Sequence, residues 1–198
     1  MKKYRVAIGI GVVVLVLFSI VKWGIGVNNN IIKKEGVALA QWANVESSYQ
    51  RRADLIPNLV STVKGYANHE KETLEAVIKA RSEATKTTID VGDLTPEKIA
   101  QFQEAQQGLS GALSRLLVSV ERYPELKADK GFLELQSQLE GTENRINVER
   151  NRFNGLAGEY NIFIAQIPTK YVASYIDKGP ISLFKSSAGS ENAPKVEF

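Results

Sequence analysis

The side chains best equipped to do chemistry fall in two short stretches. Arg51, Arg52, Asp54 and Asn58 form the first, and Glu140, Glu143, Asn144, Arg145, Glu149 and Arg150 form the second. Grouped carboxylates such as Glu140, Glu143 and Glu149 are the residue types that exchange protons with a substrate. On a helix whose charges alternate in sign, the same carboxylates make a solvated face. Arg52 and Glu149 differ from the rest, because each occupies a position where the surrounding pattern calls for an apolar residue. A buried charge without a partner is very costly. Three arrangements are open. The two charges pair in the core, with Thr142 and Gln106 adding polar contacts; or they sit at a wet end of the helices; or the group forms a site for a ligand or partner. A buried pair would fix helix register at some cost in stability.

Other chemistries find little support. The chain has no cysteine, which excludes disulfides, thiolate nucleophiles and cysteine-ligated metal centres. His69 is its one histidine, and His69-Glu70 lacks the second histidine of a His-Glu-x-x-His zinc site. Gly9-Ile-Gly11 and Gly24-Ile-Gly26 do not extend to a phosphate-binding pattern, and Gly108-Leu109-Ser110-Gly111 lacks the spacing of a nucleophile elbow. The expectation is a protein with no catalytic residues, no metal and no cofactor, hence not an enzyme.

The elements that must position these residues are helices. Phe132, Leu139, Ile146, Phe153, Tyr160 and Ile167 recur at a strict spacing of seven, interleaved with Leu135, Thr142, Glu149, Leu156 and Phe163. Phe102, Leu109, Leu116 and Tyr123 alternate with Ile99, Gln106, Leu113 and Val120 in the same way, and Trp42, Tyr49, Ile56 and Val63 with Val45, Arg52, Leu59 and Tyr66. Three such coiled-coil-like seams predict an all-α fold, an antiparallel helical bundle of long helices. Helices are predicted at about 4–66, 69–86, 96–122 and 130–166. Thr95-Pro96 reads as a cap followed by proline at the first helical position. Asn68 and Asp129 are candidate caps, and Pro124 and Pro168 mark helix ends. Pro57 interrupts the first seam, and an internal proline costs about 3 kcal/mol or more. A kink or break is therefore expected near Ala53–Ile56, with Asp54 capping the helix beyond it. Tyr171, Val172, Tyr175 and Ile176 form one more turn or pack on the bundle.

Residues 6–21 carry no charge, and apolar character resumes after Lys22 through Trp23, Ile25 and Val27. A helix crosses a ~30 Å hydrocarbon core in about 20 residues, so 6–27 reads as a transmembrane anchor. Lys22 can snorkel to the headgroups, and Tyr4 and Trp23 lie where interfacial aromatics settle. A cleaved signal peptide is the competing reading, but its shorter apolar core and small-residue cleavage site are lacking. The predicted organisation is an anchor over 1–27, a bundle over 28–185 and a flexible tail over 186–198. The net charge of +3 misleads about the domain. Lys2, Lys3, Arg5 and Lys22 lie in the anchor, leaving 21 basic against 22 acidic residues beyond it. Such a balance lacks the electrostatic footprint of a nucleic-acid binder. Lys2, Lys3 and Arg5 precede the span while Lys22, Lys33 and Lys34 follow it; the first three are packed tighter and closer to the bilayer, which favours a cytoplasmic N-terminus and an outward-facing domain.

Several long motifs then carry a resemblance. Arg51-Arg52-Ala53-Asp54-Leu55-Ile56-Pro57-Asn58-Leu59-Val60, Val63-Lys64-Gly65-Tyr66-Ala67, Tyr123-Pro124-Glu125-Leu126-Lys127-Ala128, Leu139-Glu140-Gly141-Thr142-Glu143-Asn144-Arg145-Ile146 and Tyr160-Asn161 resemble the LemA family, in order and across the chain. Phe153-Asn154 departs from the family's more usual Tyr-Asn, losing only a hydroxyl. The resemblance implies a bacterial, membrane-anchored α-helical protein and brings no catalytic residues with it. Function is then expected to be contact: a helical scaffold at the bacterial inner membrane that binds the bilayer through 6–27, self-associates as a homo-oligomer and engages other membrane proteins. A membrane-anchored sensor or lipid-binding bundle is the alternative, and a hydrolase using Glu140, Glu143 and Glu149 a third.

Overall fold

Helix is the only regular structure among the described residues. The computed structural model describes residues 2–66, 70–90 and 92–185, with side chains from residue 9 onward. Six helices follow one another: α1 (Lys2–Tyr66), α2 (Lys71–Lys86), α3 (Pro96–Val120), α4 (Pro124–Lys127), α5 (Lys130–Ala165) and α6 (Thr169–Tyr175). The four predicted long helices agree with α1, α2, α3 and α5 to within about two residues at each end. Pro124 does not terminate α3, which has already stopped at Val120; it opens α4 as that helix's first residue. The predicted Asn68 cap, His69 and the 186–198 tail lie outside the described residues. Two compact units are present, Met1–Ala40 with Gly155–Ile181, and Gln41–Asn154 with Ser182–Phe198.

In the second unit the heptad positions are the buried ones. Trp42, Val45, Ile56, Leu59, Val63, Leu109, Leu116 and Ile146 are all fully buried, and Phe102, Leu113, Val120, Phe132 and Leu139 nearly so. One apolar cluster joins Ile56, Leu59 and Val63 of α1 to Leu74 and Val77 of α2, Leu109 and Leu116 of α3, and Phe132 of α5. Cross-helix contacts fix the directions. Gln41 meets Glu149, Arg52 meets Glu143 and Tyr66 meets Asp129, so α5 runs antiparallel to α1. Glu70 meets Arg122 and Tyr123, while Gln106 meets Ala84, so α2 and α3 are antiparallel as well. The buried Glu70 carboxylate takes both the Arg122 guanidinium at 2.7 Å and the Tyr123 hydroxyl at 2.9 Å. The Thr95 hydroxyl caps α3 by accepting from Lys98 N, as predicted.

Pro57 does not break the helix: α1 continues through it to Tyr66. A proline at this position has no N–H to offer the carbonyl four residues earlier. That carbonyl belongs to Ala53, and Arg81 of α2 donates to it through Nε at 2.7 Å. The backbone acceptor orphaned by the proline is thus satisfied from a neighbouring helix. Asp54 caps nothing, since no new helix begins there, and its carboxylate accepts from Gln50 one turn earlier at 2.8 Å. The heptad register also ends sooner than expected at both seams' limits. Tyr66 and Ile167 are exposed, Ile167 because α5 has already stopped at Ala165.

The first unit holds the start of α1, the end of α5 and α6. Ile31 and Ala38 of α1 and Ala157 and Tyr160 of α5 are fully buried. The Tyr160 hydroxyl donates to Gly179 O at 3.1 Å, and burial, helped by the Glu35 carboxylate, pushes its pKa up to about 12. After α6 the chain turns through Asp177, whose φ of 54° is left-handed, and Lys178 pairs with Glu35 at 2.8 Å. Between residues 9 and 26 α1 carries large apolar side chains that stand exposed, among them Ile10, Val12–Phe18, Ile20, Val21 and Ile25. This stretch is long and apolar enough to cross a membrane.

Two predictions rest on these contacts. Arg81→Met is expected to destabilise the full chain in detergent by about 1–3 kcal/mol, the cost of an unsatisfied buried carbonyl. In a Pro57→Ala background, where residue 57 can donate to Ala53 O, denaturant titration should show that cost shrink; an unchanged cost would detach Arg81 from the proline. Asp129 accepts from Phe132 N at 2.8 Å and from the Tyr66 hydroxyl at 3.0 Å. The Phe132 backbone N–H, then Tyr66, hold its carboxyl below the usual carboxylate range. A depressed folded-state pKa gives stability that is present above the unfolded value and lost as pH falls through the folded one. Acid titration of Asp129→Asn should therefore show a shallower loss of stability below about pH 4.

Candidate functional site

The second unit is organised around one buried cation. Arg52 lies seven residues after Val45 and seven before Leu59, both fully buried, so the period of α1 turns it inward, and it is 3% exposed. Its Nη1 donates to Glu143 Oε2 of α5 at 2.7 Å and to Ser110 Oγ of α3 at 2.8 Å. Its Nη2 donates to Gln106 Oε1 at 2.7 Å and to Gln106 O at 3.3 Å. Gln106, itself at a heptad position of α3 between Ile99 and Leu113, passes the connection on through Nε2 to Ala84 O of α2 at 3.2 Å. Four helices thus meet at a guanidinium and an amide. The Arg52 guanidinium also lies 5.2 Å from the Tyr49 ring centroid, while its Nε has no partner. Burial raises the Tyr49 pKa although Arg150 and Arg52 pull the other way.

The pairing of Arg52 with Glu149, one of the three arrangements left open by the sequence, does not occur. In the antiparallel arrangement Arg52 comes opposite Glu143, and Glu149 comes opposite Gln41, eleven residues or about 16 Å back along α1. Glu149 accepts from Gln41 Nε2 at 2.6 Å and pairs with Arg145 of its own helix at 3.5 Å. Asn44 Nδ2 donates to the Gln41 amide oxygen at 3.1 Å, completing that second node. Gln106 does contact Arg52, as expected, whereas Thr142 bonds to Gln138 O within α5.

The ten candidate residues do not form one cluster. Arg52 with Glu143, and Arg145 with Glu149, belong to the two nodes. Arg51, Asp54, Asn58, Glu140 and Asn144 are exposed, with Glu140 accepting from Gln136 on its own helix. Arg150 donates to Lys185 O and stacks its guanidinium 4.7 Å from the Phe184 ring. Among the described residues no three His, Asp or Glu side chains gather closely enough to hold a metal.

Two features went unread in the sequence. Asn154 of α5 donates through Nδ2 to Phe184 O and accepts at Oδ1 from Phe184 N, both at 2.9 Å. It treats the returning chain as a neighbouring strand would. This fixes Phe184 in an aromatic box, stacked on Trp42 at 5.5 Å and edge-on to Phe153 at 5.7 Å. Asn161 does the same to Ile181 in the first unit, at 2.8 Å in each direction. The available signal was Phe153-Asn154 and Tyr160-Asn161, an aromatic-Asn pair repeated at seven residues inside a helix, where Asn is a poor former. The second feature is a cleft of about 290 Å³ lined by Glu46, Tyr49, Gln50, Thr85, Phe102 and Gln106. Burial pushes the Glu46 carboxyl above its ordinary range. The Trp42 indole N–H, near it but without a hydrogen bond by geometry, offsets this in part, and Asp90 adds to it.

Hydrogen bonds to a charged group are worth about 1.5–3 kcal/mol each, and a buried group left unsatisfied costs about as much. Gln106→Leu removes one acceptor of Arg52, the amide oxygen, and the donor to Ala84 O together. It is expected to destabilise the full chain by about 2–4 kcal/mol in denaturant unfolding; a loss no larger than that of a surface substitution would remove Gln106 from the node.

Residues 41–198 match the LemA family. Protein LemA of Metamycoplasma hominis is 25% identical over 178 residues, 87% of this chain and 78% of that protein. Magnetosome protein MamQ of Magnetospirillum gryphiswaldense is 27% identical over 157 residues, and MamQ 2 of Paramagnetospirillum magneticum is 26% identical over 151. The chain spans 56% of the length of each of these two magnetosome proteins. Neither the family description nor the relatives' names carries a reaction. The match begins at Gln41, the residue that reaches Glu149, and takes in the Arg52 node and the Asn154 clamp: the chain belongs to the LemA family.

Proposed function

We propose that this membrane-associated helical protein is a scaffold or assembly subunit that acts by binding protein, including further copies of itself, at the bacterial inner membrane. The observation that carries the reading is the continuity of α1. Its exposed apolar stretch and the residues that organise the bundle, Trp42, Tyr49 and Arg52, lie on a single helix. Tethered chains share one plane, which raises their effective concentration for one another. In this reading residues 1–27 are the anchor and 28–185 the bundle. The tight basic group Lys2, Lys3 and Arg5 keeps the N-terminus cytoplasmic, and the bundle faces outward. The ten charged and polar residues of the two stretches then serve register and contact. The family and the magnetosome relatives support the membrane association in this reading and specify no partner.

In-cell crosslinking of the full chain, followed by extraction in mild detergent and mass measurement, tests this. The expected outcome is retention in the membrane fraction through an alkaline wash, with a crosslinked species at a multiple of the 21.8 kDa chain mass. A strictly monomeric particle that captures no protein would overturn the scaffold reading.

A further inference from the structure

The end of the first unit exposes more apolar surface than its own packing uses. Ile167 is 75% exposed, Tyr171 68% and Tyr175 91%. All three come after the end of α5, at the corner leading into α6 and along that short helix. On α6 the buried residues are Thr169 and Ala173, four apart, and Tyr171 and Tyr175, also four apart, lie on the opposite face. Exposed groups of this size mark contact surfaces rather than ordinary solvated faces.

Their height along α1 identifies the contact. Lys34 Nζ lies 3.4 Å from Glu159, and Asn30 to Val37 of α1 share a groove with Leu156 and Glu159 of α5. The two helices run antiparallel and each rises about 1.5 Å per residue. Six residues beyond Glu159 therefore stand level with six before Lys34, which sets Ala165 beside Asn28. The apolar stretch of α1 ends at Val27. The corner beyond Ala165 thus descends to the level at which α1 enters hydrocarbon.

We propose that this corner is a second membrane contact, with Ile167 inserted at the bilayer surface and Tyr171 and Tyr175 seated among the headgroups. The inference rests on the reading that α1 spans the bilayer. Tyrosine is favoured at this depth because its ring is apolar and its hydroxyl wet, and the exposed Lys170 beside it can reach lipid phosphates. Two contacts on one unit would hold the span at a set tilt and rotation, which a lone helix cannot do for itself.

The chain has no cysteine, so single substitutions give unique label sites. Leu15→Cys, Val37→Cys, Ile167→Cys and Tyr171→Cys, each carrying a nitroxide, are reconstituted in phosphatidylethanolamine–phosphatidylglycerol vesicles. Collision rates are read with oxygen, which enters lipid, and with a nickel chelate, which does not. The expected result is that the label at 167 has oxygen access between those of Leu15→Cys and Val37→Cys, and that labels at 167 and 171 collide severalfold less with nickel than Val37→Cys, which stands about 15 Å above Val27. If Leu15→Cys is lipid-facing and Ile167→Cys matches Val37→Cys, the second contact is overturned while the anchor stands. If Leu15→Cys itself meets nickel freely, the anchor reading fails and this inference with it. Shielding at 167 from both reagents that disappears on dilution in lipid means a second copy covers the corner, which also overturns the proposal.

Discussion

A guanidinium removed from water must be surrounded, and the second unit is arranged so that Arg52 is. Transfer of an ion into a protein interior costs several kcal/mol even after relaxation, and hydrogen-bond acceptors offset it. Glu143, Ser110 and the two oxygens of Gln106 supply acceptors to both terminal nitrogens from α3 and α5, leaving Nε alone without a partner. Because Glu143 is 48% exposed, the pair straddles the surface, and its electrostatic contribution is screened. The stronger consequence is positional. A shift of one heptad along α1 would put Arg52 where Val45 or Leu59 packs and leave Gln106 with its Ala84 bond alone. Apolar seams of similar residues tolerate such slips, whereas a charge with directional partners does not.

The same logic recurs at several polar groups inside this molecule. Pro57 deprives Ala53 of a donor, and Arg81 replaces it. Asn154 and Asn161 each meet both backbone groups of the residue that returns past them. The buried Glu70 takes two donors from the far end of α3. In each case the polar side chain or freed carbonyl selects one neighbour among several packings that burial alone would accept. The aromatic box shows the two effects together: stacking of Phe184 on Trp42 supplies the area, and Asn154 decides which residue of the returning segment supplies the ring.

Period was readable in the sequence and partnership was not. The spacing of seven placed Trp42, Leu109, Ile146 and Phe153 in the core because a helix of 3.6 residues per turn brings such residues to one face whatever lies opposite. The same spacing marked Arg52 and Glu149 as charges directed inward. It could not say that they would be satisfied separately, since that depends on the stagger between α1 and α5, which loop lengths and local packing set. Pro57 misled for a related reason. Proline predicts a break when its missing hydrogen bond stays unmet, and the Arg81 donor comes from 28 residues away in sequence. The grouping of Arg51, Asp54, Asn58, Glu140 and Asn144 with the node failed because adjacency along a helix scatters side chains around it.

The glutamates of α5 show how helix position decides what a carboxylate is bound to. A general acid or base needs a carboxyl held near a substrate and tuned by its surroundings. Glu143 is bound to a buried cation, Glu149 is saturated by Gln41 and Arg145, and Glu140 faces solvent beside Gln136. Each is committed to holding helices or is free in water. Burial pushes the Glu46 carboxyl upward, and it borders the cleft lined from α1, α2 and α3. A polar side chain at the rim of a packed bundle suits recognition, because it can discriminate among surfaces by what they leave unpaired. The carboxylates of α5 are thus accounted for by position: Glu143 and Glu149 hold α5 against α1 at two points along its length, while Glu140 stays in water.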